Sequence, residues 1–210
     1  QLSGSNFEEV RSNVNIITTK HKQASEYDIY GVRWDKCYNP TLTRTDDATG
    51  LVANAGVGFE SVKNDFDKLP IFGEIEDVVD SYGNVFVKIP KLYIRKVDGA
   101  NFKSWQVSKR RYPGFYLPWC FWDFINKKEL PYILVGKHKA SLSADNKLES
   151  KPNTYPLINK TIVDFRTYAR NNNDSVNGLL GYQQLDIHVV DVLRTLFFVE
   201  FATLDAQSVM

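Results

Sequence analysis

The sequence predicts an α+β domain of short antiparallel strands and two helices, one of them buried, behind an extended N-terminal arm. Two observations carry this. Short β-branched and aromatic runs bounded by Gly, Pro, Asn or Asp recur from Ile29 to Gly136. Helical signals then follow, a Thr-x-x-acid start at Thr161 and a long apolar stretch before the last residues.

Residues 1–26 are polar around one apolar patch, Val14-Asn-Ile-Ile17, and read as an arm or linker. Residues 27–210 form the domain. Ile29 to Trp34 alternates as a strand and ends in Asp35. Asn39-Pro40 and Asp46-Asp47 through Gly50 mark turns, and Ala53 to Gly58 is a loop. Val85-Phe-Val-Lys-Ile89 is the clearest strand, and Pro90 marks an edge or a break. Lys91 to Val97 stays extended, and Asp98-Gly99 turns the chain into Phe102 to Val107. With Tyr82-Gly-Asn84, these breaks punctuate an antiparallel meander. Residues 112–122 are dense in aromatics and proline without periodicity, an irregular packed segment. Tyr132 to Val135 is a strand, and residues 143–156 are an exposed polar loop.

Thr161 opens a helix from Ile162 to about Arg170, with Ile162, Phe165 and Ala169 sharing a face. A second helix runs from about Gln184 to Leu204. It is apolar nearly all round through Leu185, Val189, Val192, Leu193, Leu196, Phe197 and Phe201. Burying such side chains is worth about 1.5–3 kcal/mol each, so this helix is expected at the centre of the core. Covering strands are expected beyond Met210 or on another chain. The chain starts at Gln1 and its only methionine is Met210, so it reads as a piece of a longer polypeptide, incomplete at the C-terminus.

A length of 210 residues suits one domain. The net charge of +1 provides no global field for nucleic acid or an anionic membrane. No run of about 20 apolar residues is present to span a bilayer. Cys37 and Cys120 lie far apart without clustered histidines, which disfavours zinc; a single disulfide is open, and two buried reduced thiols are expected.

Candidate chemistry is sparse. Asp35, Asp46 and Asp47 lack the alternating oxygen pattern of a calcium loop and read as turn formers. Of His21, His138 and His188, only His188, with Asp186 and Asp191, forms a cluster worth testing as a catalytic group. Lys109-Arg-Arg111 beside Trp105 and Tyr112 is a basic-aromatic patch. Glu74, Glu76 and Asp77 are the carboxylates a glycosidase reading would use. Gly56-Val-Gly58 is too short for nucleotide binding, and Asn159-Lys-Thr161 and Asn173-Asp-Ser175 match the glycosylation sequon. No catalytic, cofactor-binding or metal-ligating residue is assigned. Exposed Tyr and Trp would signal adhesion, because rigid aromatics stack on sugar rings at low entropy cost.

In order, Tyr30-Gly-Val-Arg-Trp34, Arg44-Thr-Asp-Asp-Ala48, Val87-Lys-Ile-Pro-Lys91 with Tyr93, and Pro113-Gly-Phe115 with Pro118 form an ordered set. Phe165-Arg166 with Ala169-Arg170, Val192-Leu193 through Phe198-Val-Glu-Phe201, and Gln207 complete it. Over residues 27–210 this set resembles phage virion proteins, of tail-fibre or minor structural type, that end in a C-type-lectin-like domain. That domain is related in fold to the major tropism determinant and to the formylglycine-generating enzyme. The stretch from Phe121 to Lys139 departs from the family spacing. The resemblance implies a virion component assembled in the host cytoplasm, oligomeric and commonly trimeric. Its partners would be other virion proteins and a host surface glycan or protein receptor, with no catalysis, cofactor, nucleic acid or membrane. In the family, strands after the buried helix complete the binding face, so receptor-contact residues are not transferred. The rival expectations are a purely structural cement, collar or baseplate piece and a cell-wall hydrolase.

Overall fold

The computed structural model describes residues 29–55, 63–173 and 181–209. The arm assigned to residues 1–26, His21 and Gly56-Val-Gly58 lie outside the described residues. In chain order the elements are β1 (Ile29–Trp34), β2 (Thr43–Asp46), β3 (Glu76–Val79), β4 (Val85–Pro90), β5 (Tyr93–Asp98) and β6 (Lys103–Ser108). Then come β7 (Trp122–Asp123), β8 (Lys128–Glu129), β9 (Tyr132–Gly136), β10 (Ser141–Leu142) and β11 (Leu148–Glu149), followed by α1 (Ile162–Arg170) and α2 (Ile187–Phe201). Every ladder between these strands is antiparallel, and the class is α+β.

A four-stranded sheet in the order β2-β1-β6-β5 carries α2 on one face, packed against β6 and β1. Alternation along β1 aims Tyr30 and Val32, both fully buried, at the helix and leaves Arg33 exposed. They join Ile94, Val107, Val192, Leu196 and Val199 in one core, which Phe66, Ile71, Leu92 and Phe121 close from the sides. On the opposite face Gly31 lies under Thr45, Asp46 and Gln106. A Cβ there would overlap the Thr45 hydroxyl and the Asp46 carboxylate and stand 3.0 Å from Gln106 Cγ.

The expected meander is in fact two hairpins in two sheets. Tyr82-Gly-Asn84 joins β3 to β4 and Asp98-Gly99 joins β5 to β6, but β4 belongs to a separate sheet, β3-β4-β9. Pro90 marks the change of sheet. Pairing with β3 stops at Lys88, and Pro90, without an N–H, faces only Tyr132 of β9. The segment 112–122 is irregular as expected, with one bridge from Tyr116 to Ile94 and a short 3₁₀ turn at Trp119–Phe121. The polar stretch 143–156 is not all loop, since β11 returns against β10 around a turn closed by Ser143 N–H donating to Lys147 O at 2.9 Å. β2 and β3 went unforeseen. Both are four-residue edge strands with little buried surface, so neither carries an alternating apolar signature.

α1 starts where expected. Asp164 N–H donates to Thr161 Oγ1 at 3.2 Å, and Thr161 N–H donates to Asp164 Oδ2 at 2.9 Å. α2 starts later than its apolar content suggests, because the Asp186 carboxylate accepts from His188 N–H at 2.9 Å and Val189 N–H at 3.0 Å and so caps it. Its burial is one-sided at the start. Val189, Val192, Thr195, Leu196, Phe198 and Val199 are buried, whereas Ile187 is 69% exposed and Val190 38%. The later turns alone form the expected spine.

Candidate functional site

The aromatic-rich segment builds an open cleft. Phe121 is fully buried and accepts at its carbonyl from Leu130 N–H at 2.8 Å, which fixes both ends of the β7–β8 hairpin to the core. Inside the hairpin Asp123 Oδ1 accepts from Ile125 N–H at 2.9 Å and Asn126 N–H at 3.0 Å, and Oδ2 accepts from Asn126 Nδ2 at 2.7 Å. These bonds, led by the Asn126 backbone, hold the Asp123 carboxyl below the usual range. With Lys127 in the left-handed region at φ 52°, the tight tip leaves Phe124 outside the core. Phe124 instead stacks on Trp119, ring centroids 5.5 Å apart and planes 15° from parallel.

Trp119 is 58% and Phe124 64% exposed. Leaving such rings in water forgoes about 1–2 kcal/mol each relative to burial, so the stack is not explained by stability. The cleft beside it has a volume of about 770 Å³, within the range of small-molecule sites. The lead-in to α2 supplies Gln183 and Asp186 to its wall, the first turn of α2 supplies His188, and β7 supplies Trp122. Cys120 also lines it, and burial, reinforced by the Asp186 charge, pushes the thiol up to about 12.

Of the cluster singled out in the sequence, Asp186 and His188 line the cleft whereas Asp191 does not, and both acids have other tasks. Asp186 caps α2, and Asp191 accepts from Lys96 Nζ at 2.5 Å on both oxygens, tying α2 to β5. The His188 side chain has no hydrogen-bond partner among the described residues. A catalytic imidazole needs an orienting acid and an activated nucleophile; here the acids are engaged and the thiol is held protonated.

The other candidates disperse. Asp35 pairs with Arg33 at 2.7 Å, Asp46 accepts from Gln106 Nε2 at 2.7 Å, and Asp47 accepts from Ile29 N–H at 3.3 Å. No group of three or more His, Cys, Asp or Glu able to hold a metal forms among the described residues. Arg44, from the same signature, donates to the carbonyls of Val199 and Glu200 at the end of α2. Glu74, Glu76 and Asp77 pair separately with Lys109, Lys88 and Lys137. The basic-aromatic patch comes apart. Trp105 points to the helix and meets Phe198 edge-on at 5.1 Å, and Tyr112 packs on Phe115. His138 binds Ser150 Oγ through its backbone N–H at 3.0 Å; both cysteines are free, but Cys37 is exposed rather than buried, and Cys120 is only partly buried. Thr161 of the first sequon is the cap of α1, and the second sequon runs into residues outside those described.

The Trp119–Phe124 platform was not singled out in the sequence, although the density of aromatics from residue 112 was. The missed signal is Asp123-x-x-Asn126 between two short extended pairs, a turn that forces the intervening side chains outward. No helix among the described residues is long and apolar enough to cross a membrane. The chain matches no protein-family model, no curated protein and no solved structure.

Proposed function

We propose that this chain is a non-enzymatic component of a bacteriophage virion, of tail- or head-fibre type, that binds a host-surface receptor through a C-type-lectin-like domain. The observation that carries the reading is the solvent-exposed Trp119–Phe124 stack, anchored by the buried Phe121 and fronting an open cleft. A preorganised aromatic surface binds with little loss of side-chain freedom. The nearby acids and thiol do structural work, which favours recognition over reaction. Copies arranged in a trimer would multiply weak contacts, raising avidity by about 10²–10⁴. Labelling of intact particles with antibody to this chain, together with binding of the purified protein to host cells, tests the proposal. Label at fibre tips and saturable cell binding are expected; label confined to internal or fully covered positions, with no cell binding, overturns it.

A purely structural virion role is favoured by a different surface. Ile158, Ile162, Val163, Leu185 and Ile187 around the starts of α1 and α2 are each more than half exposed. Apolar exposure of this kind marks contact with another protein. A density map of the particle with these residues covered by capsid or collar protein, and the aromatic cleft covered too, would favour this second role.

A further inference from the structure

We propose that the cleft between the Trp119–Phe124 stack and the first turn of α2 binds an uncharged pyranose-based glycan. This rests on the reading of the chain as a host-surface binding protein and assigns the ligand class of that site. The two rings stack on each other, 15° from parallel, and each stays more than half exposed, so the stack leaves an outer aromatic face open to a ligand. The C–H face of a pyranose is flat and apolar, while its rim carries hydroxyls that need donors and acceptors. Planar polar groups line the rest of the cleft, the indole of Trp122, the Gln183 amide and the His188 imidazole. None of the three has a side-chain hydrogen-bond partner among the described residues, so each is open to a hydroxyl. The volume of about 770 Å³ admits a short oligosaccharide.

Charge selects among sugars. Asp123 and Asp186 line the cleft, and among the described residues no lysine or arginine does. A sialic or uronic acid would bring a carboxylate toward two others with no cation to pair it. The rigid hairpin adds to selectivity, because Asp123 holds Ile125 and Asn126 in place and the platform cannot refold around a different shape.

The test is an array of immobilised neutral and sialylated oligosaccharides, followed by titration of the best-retained neutral one against intrinsic Trp fluorescence. Trp119→Ala and Phe124→Ala, both at exposed positions, are compared with the unaltered chain, with thermal unfolding as the folding control. Retention of neutral glycans over sialylated ones is expected, with a loss of about tenfold or more in affinity in both variants at unchanged unfolding temperature. If one variant fails to fold, the other decides. No retained neutral glycan, equal retention of sialylated ones, or unchanged affinity in a folded variant overturns the site. Host-cell binding that persists in Trp119→Ala sinks the glycan assignment while leaving adhesion standing. Glycan binding without cell binding does the reverse.

Discussion

Arg44 of β2 donates through Nη1 to the carbonyl oxygen of Val199 at 2.5 Å, so a strand side chain ends a helix 155 residues away. Its other terminal nitrogen reaches the Glu200 carbonyl, while the Phe198 carbonyl accepts from Ala202 N–H at 2.9 Å. Two carbonyls of the last turn that the helix itself leaves unpaired are thus satisfied by one cation placed at the negative end of the helix dipole. Burial lowers the guanidinium's pKa, and the Glu200 and Asp65 charges oppose that, but arginine stays charged. Arg44→Ala should lower stability by about 2–4 kcal/mol, from the lost charge-assisted bonds and the lost dipole contact. Arg44→Lys should recover less than half of this, since a point charge cannot serve two carbonyls in a fixed fork. Urea midpoints at unchanged slope measure both; a loss below about 0.5 kcal/mol for Arg44→Ala would contradict the capping role.

A second long-range pair sets a pH dependence. Tyr182 Oη donates to Asp80 Oδ2 at 2.8 Å, and the same carboxylate accepts from Tyr82 N–H at 2.9 Å and from Asn84 N–H at 2.8 Å. Burial pushes the Asp80 carboxyl up, but the bonds from Asn84, Tyr182 and Tyr82 together outweigh it and leave it lowered. Burial, then the bond to Asp80, raises the Tyr182 phenol. The Asp80 contribution is present above the unfolded carboxyl value of about 3.9 and is lost as pH falls through its lower folded value. The Tyr182 contribution is whole below about pH 10, and it declines above that as the unfolded chain sheds a proton that the folded one keeps. Unfolding temperatures scanned over pH should therefore show a shallower alkaline decline in Tyr182→Phe and a shallower acid decline in Asp80→Asn. Parallel curves for variant and parent at either end would refute the linkage there.

Features encoded locally were legible from the residues. The Thr161–Asp164 capping box needs only its own three-residue spacing, and α1 begins where that spacing places it. The strand Ile29–Trp34 and the hairpin turn at Asp98-Gly99 are likewise local in origin. What could not be read depends on distant partners. β2 and β3 are strands because β1 and β4 supply their hydrogen bonds; the Thr and Val in Thr-Arg-Thr-Asp and Glu-Asp-Val-Val favour extension, but four residues without alternating apolar positions do not announce a strand. Which aromatics stay outside is also a tertiary outcome. Phe121 fills the core, so Trp119 and Phe124 are left to meet on the surface, and composition alone does not separate them. The acidic residues of the Arg44 segment do turn the chain at residues 47–50 as expected, and its arginine in addition caps a distant helix, which the local sequence does not show.

The two thiols should differ sharply in reactivity. Cys37 is exposed, whereas the Cys120 thiol is partly buried and pushed up to about 12, chiefly by burial. The thiolate attacks alkylating reagents, so at pH 8 Cys120 should react at least about 100-fold more slowly than Cys37. Iodoacetamide labelling followed by peptide mass spectrometry should find Cys37 modified first and Cys120 modified at a comparable rate only in denaturant. Rapid labelling of Cys120 in the native protein would contradict a protonated, shielded thiol and favour a reactive one in the cleft.

The last turn of α2 contains a strain that one substitution relieves. Ala202 closes the helix in the left-handed region at φ 52° and ψ 41°, where a Cβ crowds the following carbonyl. Its backbone is held from both sides, by its own N–H donating to Phe198 O at 2.9 Å and by Leu42 N–H donating to its carbonyl at 2.8 Å. The conformation is thus imposed by the return of the chain beside residues 40–42, and glycine meets it without the steric penalty. Ala202→Gly forfeits one half-buried methyl and some unfolded-chain entropy against a left-handed cost of about 1–2 kcal/mol. The expected balance is a gain of about 0.5 kcal/mol, or roughly 1–2 °C in unfolding temperature for a chain of this size. Ala202→Val should lose more than 1 kcal/mol, because a β-branched residue is poorly tolerated there. Differential scanning calorimetry of the pair decides it: a valine variant as stable as the glycine variant would mean that the helix end relaxes to another conformation in solution.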